Sequence, residues 1–178
     1  SLLIAAPQLD LSTSSPISQQ PYCGLTPWRV QDHARIHRYE TNIRQEQCAT
    51  SICQTPHGIV GHTICYDLRF PGLYRQLAKS GAEILFVPAA FTKKTGEANW
   101  HVLYRARAIE NGSFVVAPCA IGKVDGGGES CGHFLIVDPW GKILADGGED
   151  SCFIQASINL DEVQIARNRI PSLTHDQP

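Results

Sequence analysis

The sequence predicts an α/β fold with a parallel sheet at its centre, and three observations support this prediction. Short apolar runs at 59–65, 83–89 and 113–121 have the length and composition of buried strands. Helical patterns at 71–80 and 98–111 separate these runs. Connections of this length place successive strands parallel, with right-handed crossovers.

The first 33 residues are predicted to form a divergent, loop-rich segment. Residues 2–6 have the apolar pattern of a strand, and a polar stretch rich in Ser, Gln and Pro follows. The sequence contains no methionine. We therefore expect a processed or truncated product, or part of a larger one.

Each predicted helix has start and stop signals. Pro71 suits the first helical turn, and Gly81 provides the C-terminal stop. In the second helix, Gly112 is the stop, and one face carries an apolar stripe formed by Trp100, Leu103, Ala106 and Ile109. Segment 91–97, which lies before this helix, is predicted to be a polar loop.

The C-terminal part is predicted to be a strand meander. A glycine-rich turn at 125–128 precedes strand patterns at 133–137, 142–145 and 153–160. Residues 138–141 form a turn signal, Asp-Pro-Trp-Gly, with proline at its second position.

Composition and charge exclude several classes of function. The 178 residues suffice for one domain with a substantial core, and the apolar and charged contents of 43% and 18% are typical of a soluble globular protein. A net charge of −2 gives no basic surface for nucleic acid. The sequence has no apolar run long enough to span a membrane and no signal-peptide pattern at its start.

The cysteines and histidines indicate a reducing compartment and no metal site. The seven cysteines are scattered and include no C-x-x-C pair, which favours free thiols and a cytoplasmic location. The seven histidines do not combine with these cysteines at the spacings typical of zinc sites.

Cys65 is the strongest candidate for a reactive residue. It is predicted to end a buried strand just before a helix, a position where α/β folds place ligands and nucleophiles. Asp67 and Arg69 are expected to brace this turn. The alternative is a buried cysteine with a purely structural role.

Four blocks of sequence around Cys65 carry a family resemblance. They are CYDLRFP at 65–71, GAEILFVPAAFT at 81–92, TGEANW at 95–100 and RARAIENGSFVV at 105–116. With these blocks, residues 34–178 resemble a partial carbon–nitrogen hydrolase domain of the nitrilase superfamily. The sequence of these blocks is most similar to that of the branch that acts on ω-amides and deaminated glutathione. The resemblance implies an α-β-β-α sandwich, incomplete here at its N-terminus.

The resemblance also implies a mechanism. In this family a cysteine attacks the carbon of an amide or nitrile, a glutamate acts as base, and a lysine stabilises the oxyanion. Cys65 takes the position of the nucleophile, and the backbone N–H of Tyr66 that of an oxyanion donor. Arg35 falls where the family has its lysine and Glu46 where it has a second glutamate, while the general-base glutamate has no counterpart. A charged surface helix is the alternative interpretation of 30–54.

Further residues are candidates for the substrate pocket. Phe91, Thr92 and Glu97 are expected to line it, although Glu97 is favoured as a cap of the following helix. Arg105 and Arg107 are expected to form structural ion pairs.

The function implied is hydrolysis of a small amide to a carboxylic acid and ammonia, through a thioester on Cys65, by a homodimer that needs no cofactor. The alternative is a catalytically impaired fragment or pseudoenzyme that acts as a binding or assembly module. A G-x-S-x-G pattern at 128–132 lacks the strand before it and the helix after it that a serine nucleophile requires. A papain-type pair of Cys65 with His62, His101 or His133 is disfavoured, since nothing around the cysteine resembles that family.

Overall fold

The computed structural model describes residues 2–7, 9–10, 51–123 and 128–175. These residues belong to one compact unit, which comprises 1–13 and 50–178. The predicted site residues Arg35 and Glu46 lie outside the described residues, as do most of the loop-rich segment 1–33 and of segment 30–54.

Three sheets are formed by the described strands. The largest has six strands in the order β10-β9-β6-β5-β4-β3, and the others are the pair β1-β11 and the trio β2-β7-β8. The strands are β1 Leu2–Pro7, β2 Leu9–Asp10, β3 Ser51–Thr55, β4 Gly58–His62, β5 Ile84–Phe86, β6 Phe114–Ala117, β7 Ala120–Lys123, β8 Glu129–Cys131, β9 Leu135–Val137, β10 Ile143–Asp146 and β11 Phe153–Ile158. As predicted, β4, β5 and β6 are parallel neighbours.

Three α-helices accompany these strands in the described part of the chain. They are α1 Pro71–Lys79, α2 Lys93–Asn111 and α3 Asp161–Arg169, and short 3-10 helices cover Cys65–Arg69 and Ser172–Thr174. Helix α1 starts at its proline, as predicted. Helix α2 ends as predicted at Gly112, whose φ of 53° is the left-handed cap conformation that glycine adopts readily.

The predicted loop at 91–97 is wrong, because α2 starts at Lys93 instead of residue 98. The first turns of the helix carry polar residues, which made them resemble a loop. Gly96 lets this end of the helix approach β8 closely. A Cβ at Gly96 would lie 2.4 Å from the side chain of Cys131. Packing against the strand therefore extends the helix.

The single strand predicted at 113–121 is also wrong, because it is two strands in different sheets. Strand β6 ends at Ala117 in the six-stranded sheet, whereas β7 starts at Ala120 and pairs with β2 and β8. Pro118 lies between them and has no N–H to donate to a ladder. Because the segment is almost continuously apolar, its periodicity did not show the change of sheet.

The C-terminal meander is only partly confirmed. Strands β9 and β10 pair antiparallel, but β11 pairs antiparallel with β1 instead of joining them. Strand β1 confirms the strand predicted at 2–6. Strand β3 and helix α3 were not predicted.

The core occupies both faces of the six-stranded sheet. One cluster packs the sheet against α1 and α2 and includes Tyr74, Leu85, Trp100, Tyr104 and Val115. The other packs it against β11 and α3 and includes Ile84, Phe114, Ile136, Ile154 and Val163. This layered arrangement of helices and sheets confirms the predicted α/β class. None of the described helices combines the length and apolar character needed to cross a lipid bilayer.

Candidate active site

Cys65 lies in a sharp turn between β4 and α1. The strand ends at His62, three residues earlier than predicted, and Cys65 begins the 3-10 helix Cys65–Arg69. Its φ of 46° lies in the left-handed region, where residues other than glycine are strained. The Cys65 N–H donates to the carbonyl of Pro88 at 2.8 Å, which ties the turn to the segment after β5. Tight contacts therefore hold this half-buried cysteine in an unusual backbone conformation.

The surroundings of the Cys65 thiol favour its protonated form. Burial is the largest influence and raises the pKa of Cys65 above its ordinary value of 9.0, and the nearby Cys119 and Asp67 act in the same direction. Backbone hydrogen bonds from Ala90 and Tyr66 oppose this effect. The net balance among the described residues therefore favours the neutral thiol.

The polar residues after Cys65 close the turn, as expected. The Asp67 carboxylate accepts a hydrogen bond from the N–H of Ile64 at 2.8 Å. Burial raises the pKa of Asp67, and the hydrogen bond from Ile64 partly offsets this. The Arg69 guanidinium lies 5.4 Å from the ring centre of Phe91, a cation–π contact.

Helix α2 supports the turn through Arg107. This buried guanidinium donates from Nε and Nη2 to the carbonyl of Leu68, at 3.1 and 2.8 Å. Its Nη1 pairs with Glu110 at 2.9 Å, so the structural ion pair predicted for Arg107 is confirmed. Arg105 instead donates to the carbonyl of Gly141 at 2.7 Å.

The three pocket candidates differ in their surroundings. Phe91 is buried in the core, with its ring 5.1 Å from that of Trp100. Thr92 is exposed at the N-cap of α2, and its hydroxyl bonds to that of Thr95 at 2.9 Å. Glu97 is also exposed but lies one turn inside α2, so its favoured role as the helix cap is wrong. Their role as pocket residues stays a prediction.

Two buried cysteines near the site were not singled out from the sequence. The Sγ atoms of Cys119 and Cys131 lie 3.8 Å apart. All five described cysteines, at 53, 65, 119, 131 and 152, are free thiols. Ser130 of the G-x-S-x-G pattern lies buried on β8 and donates to the Phe91 carbonyl at 3.2 Å. It therefore has no resemblance to an exposed serine nucleophile.

A polar cluster of two histidines and one aspartate lies close to Trp100, whose indole N–H donates to the His133 carbonyl. The Nε2 atom of His101 lies 2.9 Å from one Asp146 oxygen, and the Nδ1 atom of His133 lies 2.8 Å from the other. No local spacing in the sequence indicated this cluster, because its members come from α2, the segment before β9, and β10. The prediction of no metal site considered only such local spacings.

Comparison with protein families identifies one match that covers most of the chain. The model of the family described as carbon-nitrogen hydrolase matches residues 20–168.

Two relatives are similar over a large share of this chain. A protein named deaminated glutathione amidase from Synechocystis sp. is 51% identical over 118 residues, which is 66% of this chain and 43% of that protein. A protein of the same name from Yersinia enterocolitica is 43% identical over 145 residues, 82% of this chain and 50% of that protein. The chain thus spans about half the length of the curated relatives it matches.

Solved structures show the same similarity. Nit3 from Saccharomyces cerevisiae, described as a member of branch 10 of the nitrilase superfamily, superposes with a TM-score of 0.67 at 34% identity, over 76% of this chain and 49% of that one. The NitFhit protein of C. elegans superposes with a TM-score of 0.63 at 44% identity, over 69% of this chain and 30% of that one.

Proposed function

Because the chain belongs to the carbon-nitrogen hydrolase family, we propose that it hydrolyses a small amide to a carboxylic acid and ammonia, with Cys65 as the nucleophile. The observation that carries the proposal is the conformation of Cys65. The residue starts a strained turn after a strand of the parallel sheet, and Tyr66, whose backbone N–H is the proposed oxyanion donor, follows it directly in that turn. A nucleophile and oxyanion donors are needed together at one carbonyl carbon.

The proposed reaction has two steps, formation of a thioester and its hydrolysis. The Cys65 sulfur forms a bond to the amide carbon, the C–N bond breaks, and the nitrogen leaves as ammonia after it gains a proton. Water then adds to the thioester, the C–S bond breaks, and the acid leaves while the thiol regains its proton. The N–H of Tyr66 donates to the oxyanion in both steps.

Burial of Cys65 determines how the nucleophile is activated. Because burial among the described residues raises the pKa of this thiol, the nucleophile needs a base at the moment of attack. The family's general-base glutamate has no counterpart in this sequence, so we propose that Glu46, at the position of the second glutamate, takes over this role. The positive charge of Arg35 would stabilise the oxyanion. Both residues are predictions from the sequence and lie outside the described residues. An arginine in place of a lysine keeps the charge but changes the donor geometry.

The proposed substrates are ω-amides, with deaminated glutathione as the first candidate, because two relatives of 51% and 43% identity carry that substrate in their names. The test is ammonia release from deaminated glutathione by the full chain. We expect Cys65→Ser and Glu46→Gln to lower the rate on the order of 1,000-fold or more. Cys53→Ser, which changes a half-buried free thiol on β3, is the matched control and should leave the rate unchanged.

The second candidate function is that of a catalytically impaired relative that acts as a binding module. The raised pKa of Cys65 and the arginine at the predicted lysine position favour this alternative. Ammonia release that is absent, or unchanged by Cys65→Ser, would support it against the amidase.

We also propose a homodimer in the cytoplasm. The free thiols of the described cysteines support the reducing compartment. The outer face of α2 supports the dimer, because Val102 and Ile109 lie two turns apart on that face and are 65% and 50% exposed. The predicted stripe that joined Ile109 to the buried Trp100 is therefore wrong at Ile109. Light scattering on the purified chain should give twice the monomer mass, and Val102→Glu should give the monomer mass. A monomer in both cases contradicts the proposed dimer.

A further inference from the structure

We propose that His101, His133 and Asp146 form a binding site for a divalent transition-metal ion, for which Zn²⁺ is the best-suited candidate. The site is distinct from the Cys65 turn and does not depend on the proposed amidase activity.

The ligand atoms are already close to the spacing that a metal ion requires. Each histidine nitrogen lies within 2.9 Å of an Asp146 oxygen, and all the ligand atoms lie within 4.8 Å of one another. Ligands of a tetrahedral zinc ion with bonds of about 2.0–2.2 Å are separated by about 3.3 Å. Small side-chain rotations therefore bring the three groups onto one ion.

The donor set matches the chemistry of zinc. Two imidazoles and one carboxylate are the protein ligands of several zinc sites that keep a fourth position for water. Each neutral imidazole would bind through the nitrogen that now faces Asp146, and its proton would move to the other ring nitrogen. The carboxylate supplies one negative charge, which lowers the cost of bringing a cation to this surface.

Backbone contacts fix the orientation of the ligands. His133 has a φ of 60°, and its N–H donates to the Gly148 carbonyl at 2.6 Å. The His133 carbonyl accepts the indole N–H of the buried Trp100, also at 2.6 Å. The Gly148 N–H donates to Asp146 at 2.9 Å. In known metal sites, such contacts orient the side chains that bind the ion and contribute strongly to metal affinity.

The cluster is accessible from solvent. The side chains of His101, His133 and Asp146 are 35%, 31% and 32% exposed. An ion can therefore enter without rearrangement of the core, and water can complete its coordination.

The experiment is a calorimetric titration of the metal-free full chain with Zn²⁺, compared with His101→Gln, His133→Gln and Asp146→Asn. We expect one bound ion at this site, and a loss of affinity of at least about tenfold in each variant. The matched control is His57→Gln, which changes an exposed histidine in the turn between β3 and β4 and should bind like the wild type.

A Co²⁺ spectrum separates this site from the free thiols. Coordination by nitrogen and oxygen gives only weak d–d bands, whereas a cysteine ligand adds intense thiolate-to-cobalt charge transfer. Zn²⁺ should also raise the unfolding temperature of the wild type but not that of the site variants. Equal affinity in all variants, absent binding, or a cysteine-type spectrum overturns the proposal. If Asp146→Asn does not fold, the zinc affinity of His101→Gln decides, because the His101 side chain is partly exposed and its replacement should leave the core intact.

Discussion

Replacement of Arg107 by methionine is expected to destabilise the fold by about 3 kcal/mol, because this side chain ties the Cys65 turn to α2. Two of its N–H groups bond to the carbonyl of Leu68, which is fully buried. Its guanidinium also lies 5.5 Å from the ring centre of Tyr74. Methionine retains much of the apolar stem but leaves the carbonyl without these donors.

The magnitude follows from the separate contacts. Loss of a buried hydrogen bond to a charged group costs about 1.5–3 kcal/mol. Loss of the cation–π contact adds about 0.5–2 kcal/mol. The ion pair with the half-exposed Glu110 adds about 1 kcal/mol at most. Removal of the buried guanidinium also removes the cost of its desolvation, which offsets part of this sum.

The assay is urea unfolding followed by tryptophan fluorescence, to which the buried Trp100 contributes. Two variants on the same helix serve as controls. Glu110→Gln removes only the ion pair and should cost less than about 1 kcal/mol. Arg105→Met removes one part-buried hydrogen bond to the carbonyl of Gly141 and should cost about 1 kcal/mol. If Arg107→Met lies within about 1 kcal/mol of Glu110→Gln, the support assigned to Arg107 is refuted.

Three further predictions concern the thiol and the packing around it. Because burial raises the pKa of Cys65, its iodoacetamide labelling rate should keep rising as the pH passes 9.0, and a plateau near neutral pH contradicts this. Gly96→Ala should destabilise the protein by about 1–3 kcal/mol, since its Cβ would lie 2.4 Å from a β8 side chain. Gly72→Ala, whose Cβ would have no atom within 4 Å, should stabilise α1 by about 0.5–1 kcal/mol. Thermal unfolding of both variants tests this, and a Gly96→Ala protein more stable than the Gly72→Ala protein excludes the packing argument. Thr63→Val and Tyr74→Phe should each cost about 1–2 kcal/mol, because their hydroxyls share a buried hydrogen bond of 2.7 Å. The double variant should cost clearly less than the sum, and additive losses would show that the two hydroxyls are not coupled.

The cluster of His101, His133 and Asp146 illustrates why a site can be hidden in a sequence. Its members are separated by 32 and 13 positions in the chain. Their imidazole and carboxylate groups meet only because α2 packs across the sheet beside β10 and the segment that carries His133. The thiols of Cys119 and Cys131 come together in the same way, through the antiparallel pairing of β7 and β8.

The sequence alone determined the features that depend on neighbouring residues. The parallel order of β4, β5 and β6 follows from the alternation of apolar runs and helices, and Pro71 and Gly112 mark helix ends through their own backbone restrictions. The four blocks around Cys65 identified the family. Arg35 and Glu46 stay predictions of the sequence.

Only the tertiary structure decided the features that depend on contacts between distant residues. The change of sheet at Pro118, the pairing of β11 with β1 and the early start of α2 all follow from which surfaces meet in the folded chain. The same holds for the support of the Cys65 turn by Arg107 and for the burial that raises the pKa of the Cys65 thiol. Local periodicity fixes which residues turn inward, but the partners they meet there, and the charges and hydrogen bonds that result, are set by packing across the whole chain.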